Sequence, residues 1–198
     1  MTTSPAIDRL LLVPRWSGHE DSDCYPWLRR RLVESGFRGE LEAAPLVPPD
    51  APDLMATVAV VRERLGPADQ AARTLVLGHS VGAQATMRAI AELPVGTHVG
   101  AILLLAGWWD VDRPWPTIVP WIETPFAWER TREAACLRVV LVSTNDPFTA
   151  DSARTRRLFE ERIDAEVRVH EGAKHFNAGE EPAVLDAALE LLGLPPAR

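Results

Sequence analysis

Runs that are apolar at every position, such as Leu103-Leu104-Leu105 and Val139-Val140-Leu141-Val142, constrain this chain more than any other feature. A strand with one wet face alternates apolar and polar residues, so an unbroken apolar run reads as a strand covered on both faces. Short β-branched or Leu-rich runs bounded by turn residues occur at Ile7–Val13, Gly39–Ala43, Thr74–Leu77, Val99–Ala106, Leu137–Ser143 and Ala165–His170. Between them, apolar residues three or four apart predict helices at about Ser22–Glu34, Asp53–Leu65, Val81–Leu93, Ala150–Arg162 and Pro182–Leu192. Strand and helix alternate nearly throughout, which predicts an α/β fold of about six parallel strands with helices on both sides. At 198 residues the chain is long enough for one sizeable core and short for two, so residues 1–198 are expected to form one domain.

One stretch breaks the alternation. Residues 107–128 carry Pro114, Pro116, Pro120 and Pro125 together with Trp108, Trp109, Trp115, Trp121 and Trp128, five of the seven tryptophans. Four prolines rule out one regular helix. A stiff excursion after a strand end is where open α/β folds build pocket walls, and it is equally suited to plugging a sheet edge. Read as a wall, it makes Trp108, Trp115 and Trp121 the candidate substrate-binding residues.

The charge balance narrows the partners. Acidic residues outnumber basic ones 28 to 21, a net charge of −7, which argues against nucleic acid because phosphate binding needs clustered cations. Apolar residues make up 46% of the chain, yet the strongest apolar run, Val99–Trp109, is too short to span a bilayer, and Met1–Asp8 has no leader-like pattern. The expectation is a cytoplasmic protein with no membrane partner. Cys24 and Cys136 stand far apart in no metal or redox spacing, so both are expected as buried free thiols. The sequence does not set the oligomeric state.

Chemistry concentrates where a predicted strand meets a predicted helix. Gly78-His79-Ser80-Val81-Gly82 fits G-x-S-x-G, and its setting after Thr74–Leu77 and at the start of a helix gives the pattern its weight. A nucleophilic serine there needs a sharp turn that lifts its hydroxyl above the sheet, which the flanking glycines permit. The hydroxyl also needs an imidazole to take its proton and a carboxylate to orient that imidazole. Asn145-Asp146-Pro147 follows one predicted strand, and Gly172-Ala173-Lys174-His175-Phe176-Asn177 follows the next. Ser80, Asp146 and His175 therefore form a candidate triad in the order Ser, Asp, His. Asp110 and Asp112 also follow a strand end and are alternatives to Asp146. His79 adjoins the serine, but a sharp turn aims it elsewhere. The backbone N–H groups of Val81 and Trp16, the latter in the loop after the first strand, are candidate oxyanion donors. His170 and His175 lie in no zinc-helix spacing, so no metal is expected.

These segments resemble the small serine hydrolases typified by retinoblastoma-binding protein 9 and the YdeN-like bacterial proteins, within the α/β-hydrolase superfamily. The resemblance rests on Val13–Leu28, with Tyr25-Pro26-Trp27-Leu28 opening a helix, on Gly78–Ala83, on Ser143–Phe148 and on Gly172–Asn177. It implies a minimal α/β-hydrolase core, a triad of Ser80, Asp146 and His175, and no cofactor. Arg15 stands where such proteins often have a glycine, a departure that falls on the oxyanion loop. The expected function is a serine hydrolase, carboxylesterase-like, acting on a small-molecule ester or amide. The alternative is a catalytically weak hydrolase-like module that binds a ligand or partner protein.

Overall fold

The computed structural model describes residues 6–196. Six strands, β1 (Arg9–Val13), β2 (Glu40–Ala43), β3 (Thr74–His79), β4 (Val99–Leu105), β5 (Ala135–Ser143) and β6 (Glu166–His170), form one sheet. Its order is β2-β1-β3-β4-β5-β6 and every pairing is parallel. Five long helices accompany them: α1 (Tyr25–Glu34), α2 (Leu54–Leu65), α4 (Val81–Ala91) and α7 (Ser152–Ile163) lie between strands, and α8 (Pro182–Leu191) follows β6. Three short ones, α3 (Ala68–Ala72), α5 (Val119–Glu123) and α6 (Trp128–Ala134), were not legible as periodic segments.

The apolar runs do what their pattern requires. Leu11, Val13, Val76, Ile102, Leu104, Val140 and Val142 point to one side, where they meet residues of α2, α4 and α7. Their neighbours Leu10, Leu12, Leu75, Leu77, Leu103, Leu105 and Leu141 point to the other, against α1 and α8. Each fully buried leucine or valine contributes about 1.5–3 kcal/mol relative to exposure, so the central strands are strongly held on both faces.

Helix ends follow local chemistry. Asp53 caps α2 by accepting from Ala56 N–H at 2.8 Å, and Asp151 caps α7 by accepting from Arg154 N–H at 2.8 Å. Helix α1 starts at Tyr25 rather than at Ser22 because Asp23 takes a left-handed φ of 52° and gives its carboxylate to Arg15. Cys24 is buried as expected, and burial pushes its thiol up to about 12. Cys136 is exposed, contrary to expectation, because β5 is uncovered from Cys136 to Arg138 and enters the core only at Val139.

The chain runs from β1 to β2 on one side and then crosses back over β1 to β3 on the other. That reversal opens a crevice beyond the carboxyl ends of β1 and β3, where ligands bind in open α/β sheets.

Candidate active site

The turn from β3 to α4 is possible only with the two glycines that flank it. A Cβ on Gly82 would stand 2.3 Å from Val13 O, and one on Gly78 would stand 2.7 Å from Thr86 Oγ1 and 2.8 Å from Gly82 O. Between them Ser80 adopts φ 56° and ψ −116°, a left-handed strain that places it on the tip of the turn. Val81 begins α4, so its N–H has no carbonyl one turn earlier to bond.

Asp146 and His175 come from the ends of β5 and β6. His175 Nδ1 donates to Asp146 Oδ2 at 2.8 Å, with the two residues only 6% and 5% exposed. The other carboxylate oxygen, Oδ1, accepts from Phe148 N–H at 2.9 Å, which fixes the plane of the group. Asn145 holds the histidine loop by its backbone: its Oδ1 accepts from Lys174 N–H at 2.7 Å. The loop is tightly wound, with Lys174 at φ 50° and Phe176 at φ 51° on either side of His175.

Asp110 and Asp112 are placed otherwise. Asp110 pairs with Arg154 through contacts of 2.7 and 2.5 Å on the surface, and Asp112 accepts from Ala150 N–H at 2.7 Å.

Ser80 and His175 open into a common cavity of about 380 Å³, whose other walls are Arg15, Trp16, Val81, Trp108, Val111, Trp115, Ile118, Phe148 and Asn177. An aromatic arc runs along one side, Trp16 to Trp115 at 5.9 Å, Trp115 to Phe148 at 5.9 Å and Phe148 to His175 at 4.8 Å between ring centres. Trp108 and Trp115 are thus brought to the site. Trp121 is not: it is 1% exposed, its Nε1 donates to Pro52 O at 3.2 Å, and it lines a different cavity of about 180 Å³ beside α4. Its assignment as a substrate-binding residue is corrected by that placement. A hydrogen bond from Arg88 Nη2 to Trp121 O at 2.7 Å ties this part of the excursion onto α4, away from Ser80.

Arg15 leaves the mouth of the cavity intact. Its Nε and Nη2 grip both oxygens of Asp23 at 2.7 and 2.9 Å, while Nη1 donates to Trp16 O at 2.9 Å. The Asp23 hydrogen bond raises the Arg15 pKa above its ordinary value. In the same loop Ser17 N–H donates to Pro49 O and Gly18 N–H to Arg15 O, whereas Trp16 N–H has no hydrogen-bond partner among the described residues.

Sequence reasoning missed His79. It does not line the cavity, but its ring is fully buried 5.4 Å from that of His175, between Tyr25 and the His175 main chain. Among the described residues no group of three or more His, Cys, Asp or Glu is placed to hold a metal, and no helix is long and apolar enough to cross a membrane.

Comparison with known proteins agrees with this architecture. No curated protein matches the chain. Among solved structures, the YdeN gene product of Bacillus subtilis superposes with a TM-score of 0.78 at 20% identity, covering 94% of this chain and 99% of that one. A YdeN-like hydrolase of Pectobacterium atrosepticum gives 0.66 at 20% identity, covering 94% and 92%. Est1E of Butyrivibrio proteoclasticus, solved with ferulic acid, gives 0.65 at 16% identity, covering 96% and 91%. These likenesses establish a minimal α/β-hydrolase fold. The serine hydrolase family profile matches residues 10–192, and with that span the chain belongs to the serine hydrolase family.

Proposed function

We propose that the chain, as one hydrolase domain, cleaves small-molecule esters or amides with an apolar acyl group through an acyl-enzyme on Ser80. The observation that carries this reading is the buried His175–Asp146 hydrogen bond, made on Nδ1, which leaves Nε2 as the nitrogen available to Ser80. Ser80 Oγ attacks the carbonyl carbon as His175 Nε2 takes the hydroxyl proton. The tetrahedral intermediate collapses, and His175 returns that proton to the departing alcohol or amine. Water then attacks the acyl-serine with His175 again as base, releasing the carboxylic acid and restoring Ser80. Every step uses the chain's own groups and water.

The N–H groups of Val81 and Trp16 are proposed as the oxyanion donors. The Arg15 anchoring supports this, because it ties the loop at the Trp16 carbonyl, in the peptide that follows the donor, while the Trp16 N–H keeps no other partner among the described residues. It favours this reading over that of a binding module with an unformed oxyanion hole. Trp108, Trp115 and the aromatic arc are proposed to receive the acyl group, and a ligand such as the ferulic acid held by Est1E illustrates the flat, aromatic shape that suits such walls.

The assignment of the acid is tested by comparing Asp146→Asn with Asp110→Asn on a short-chain aryl ester. Asp146→Asn should lower kcat by about 10⁴-fold, since an asparagine would favour the wrong imidazole tautomer, while Asp110→Asn should change it little. The opposite ranking would move the role to Asp110.

A further inference from the structure

The proposed triad leaves one buried titratable ring without a task. His79 closes β3 directly before Ser80 and is fully buried, with both nitrogens engaged. Nε2 lies 2.7 Å from His175 O, and Nδ1 lies 2.7 Å from Tyr25 Oη. A carbonyl oxygen only accepts, so Nε2 carries the proton and donates it to His175. Burial first, and the neighbouring His175 second, hold the His79 pKa well below its ordinary value and keep the ring neutral. Nδ1 is then a lone pair, and the Tyr25 hydroxyl donates to it. Burial likewise raises the Tyr25 pKa, so the phenol keeps the proton it donates.

We propose that His79 is a positioning residue for the catalytic base, a neutral, Nε2-protonated ring that holds the main chain of His175 while Asp146 holds its side chain. This inference rests on the triad reading given above. The need for such a hold follows from the loop itself. His175 sits between two residues at positive φ, a conformation that persists only where surrounding contacts over-determine it. Asn145 secures the main chain at Lys174 N–H, one residue before His175. His79 secures the carbonyl of His175 itself, so the ring pivots from a point fixed on both sides. Tyr25 completes the device by donating to Nδ1, while the His175 carbonyl, which can only accept, sets the tautomer. The order Tyr25, His79, His175 therefore links α1 and the nucleophile strand to the base.

The test exploits the two amide analogues of histidine. In His79→Gln the side-chain amide reaches the position of Nε2 and can still donate to His175 O. In His79→Asn the amide reaches only the position of Nδ1, so the contact to His175 is lost. On an aryl ester, His79→Asn should lower kcat roughly 10- to 100-fold with KM nearly unchanged, the size of effect expected when a catalytic group is displaced by about 1 Å. His79→Gln should recover most of that loss. Equal losses in both variants, or none in either, would overturn the proposal. A second measurement needs no variant: ¹⁵N-histidine NMR of the wild type should show His79 neutral, protonated on Nε2 and not titrating from pH 5 to 8. A ring protonated on Nδ1, or one that becomes charged in that range, would overturn it. Because the NMR result does not depend on Ser80, a wild type that fails to react with a serine-directed phosphonate would count against the triad while leaving the His79 assignment separately decided.

Discussion

Trp115 and Trp121 belong to the same Pro-rich excursion after β4, yet they line two different cavities, one at Ser80 and one beside α4. Trp115 is half-buried, stands between Trp16 and Phe148, and faces the cavity that contains Ser80. Trp121 is sealed, with its indole N–H bonded to Pro52 O and its carbonyl bonded to Arg88. Around it Trp109 stacks on Phe126 at 5.9 Å, and the Arg88 and Arg162 guanidiniums cover those rings at 4.3 and 4.6 Å. The excursion is thus a pocket wall in one part and an apolar plug in another. The difference lies in anchoring: side chains of α4 reach the main chain at Trp108 and Trp121, through Gln84 and Arg88 respectively, while Val111, Trp115 and Ile118, between them, line the cavity at Ser80.

The largest effect should come from the plug. Trp121→Ala empties a fully packed site, which typically costs about 3–5 kcal/mol, or roughly 6–20 °C in Tm for a chain of this size. Thermal unfolding would check it, and the order of preference among acyl chains should stay as it is. A change of preference without loss of stability would erase the distinction between the two regions.

Trp115→Ala should do the reverse. We expect Tm to move by only a few degrees, while kcat/KM for bulky relative to short acyl groups shifts about tenfold in favour of the bulky ones, within the range that one apolar pocket contact supplies. Matched kinetics on aryl esters of increasing chain length would reveal it. An unaltered profile would mean that the acyl group lies elsewhere.

The smallest effect is expected at Arg88, inside the plug. Burial lowers its pKa to about 10, and among the described residues no carboxylate pairs with the buried charge. Arg88→Met removes a hydrogen bond and a ring contact but also removes that desolvation penalty, so stability should change by no more than about 1 kcal/mol. A denaturant titration would settle the value, and a loss comparable to that of Trp121→Ala would show that the guanidinium, not the indole, holds the plug.

What could be read from sequence was governed by local rules. The unbroken runs around Leu103 and Val139 fixed the sheet because each residue's face follows from chain periodicity alone. Gly78 and Gly82 marked the turn because only a missing Cβ permits β3 to pack on Thr86 and Ala83 at the first glycine and Val13 and Pro14 to approach α4 at the second. Trp121 was misplaced for a complementary reason: a tryptophan in a proline-rich loop has no periodicity, and only Pro52 and Arg88, distant in sequence, determine where it lies. The role of Arg15 was hidden likewise, because its effect on the loop depends on Asp23 turning back to meet it. His79 was passed over since its partners, Tyr25 and the His175 carbonyl, come from the ends of other elements.

The central claim is that Ser80 is an activated nucleophile, and reaction with a fluorophosphonate followed by mass spectrometry of the labelled peptide tests it most directly. The account predicts one phosphonate per folded chain on Ser80, none on Ser80→Ala, and much slower labelling of Asp146→Asn, whose imidazole would be poorly oriented to take the serine proton. Labelling that persists in Ser80→Ala, or a folded wild type that does not react, would contradict it.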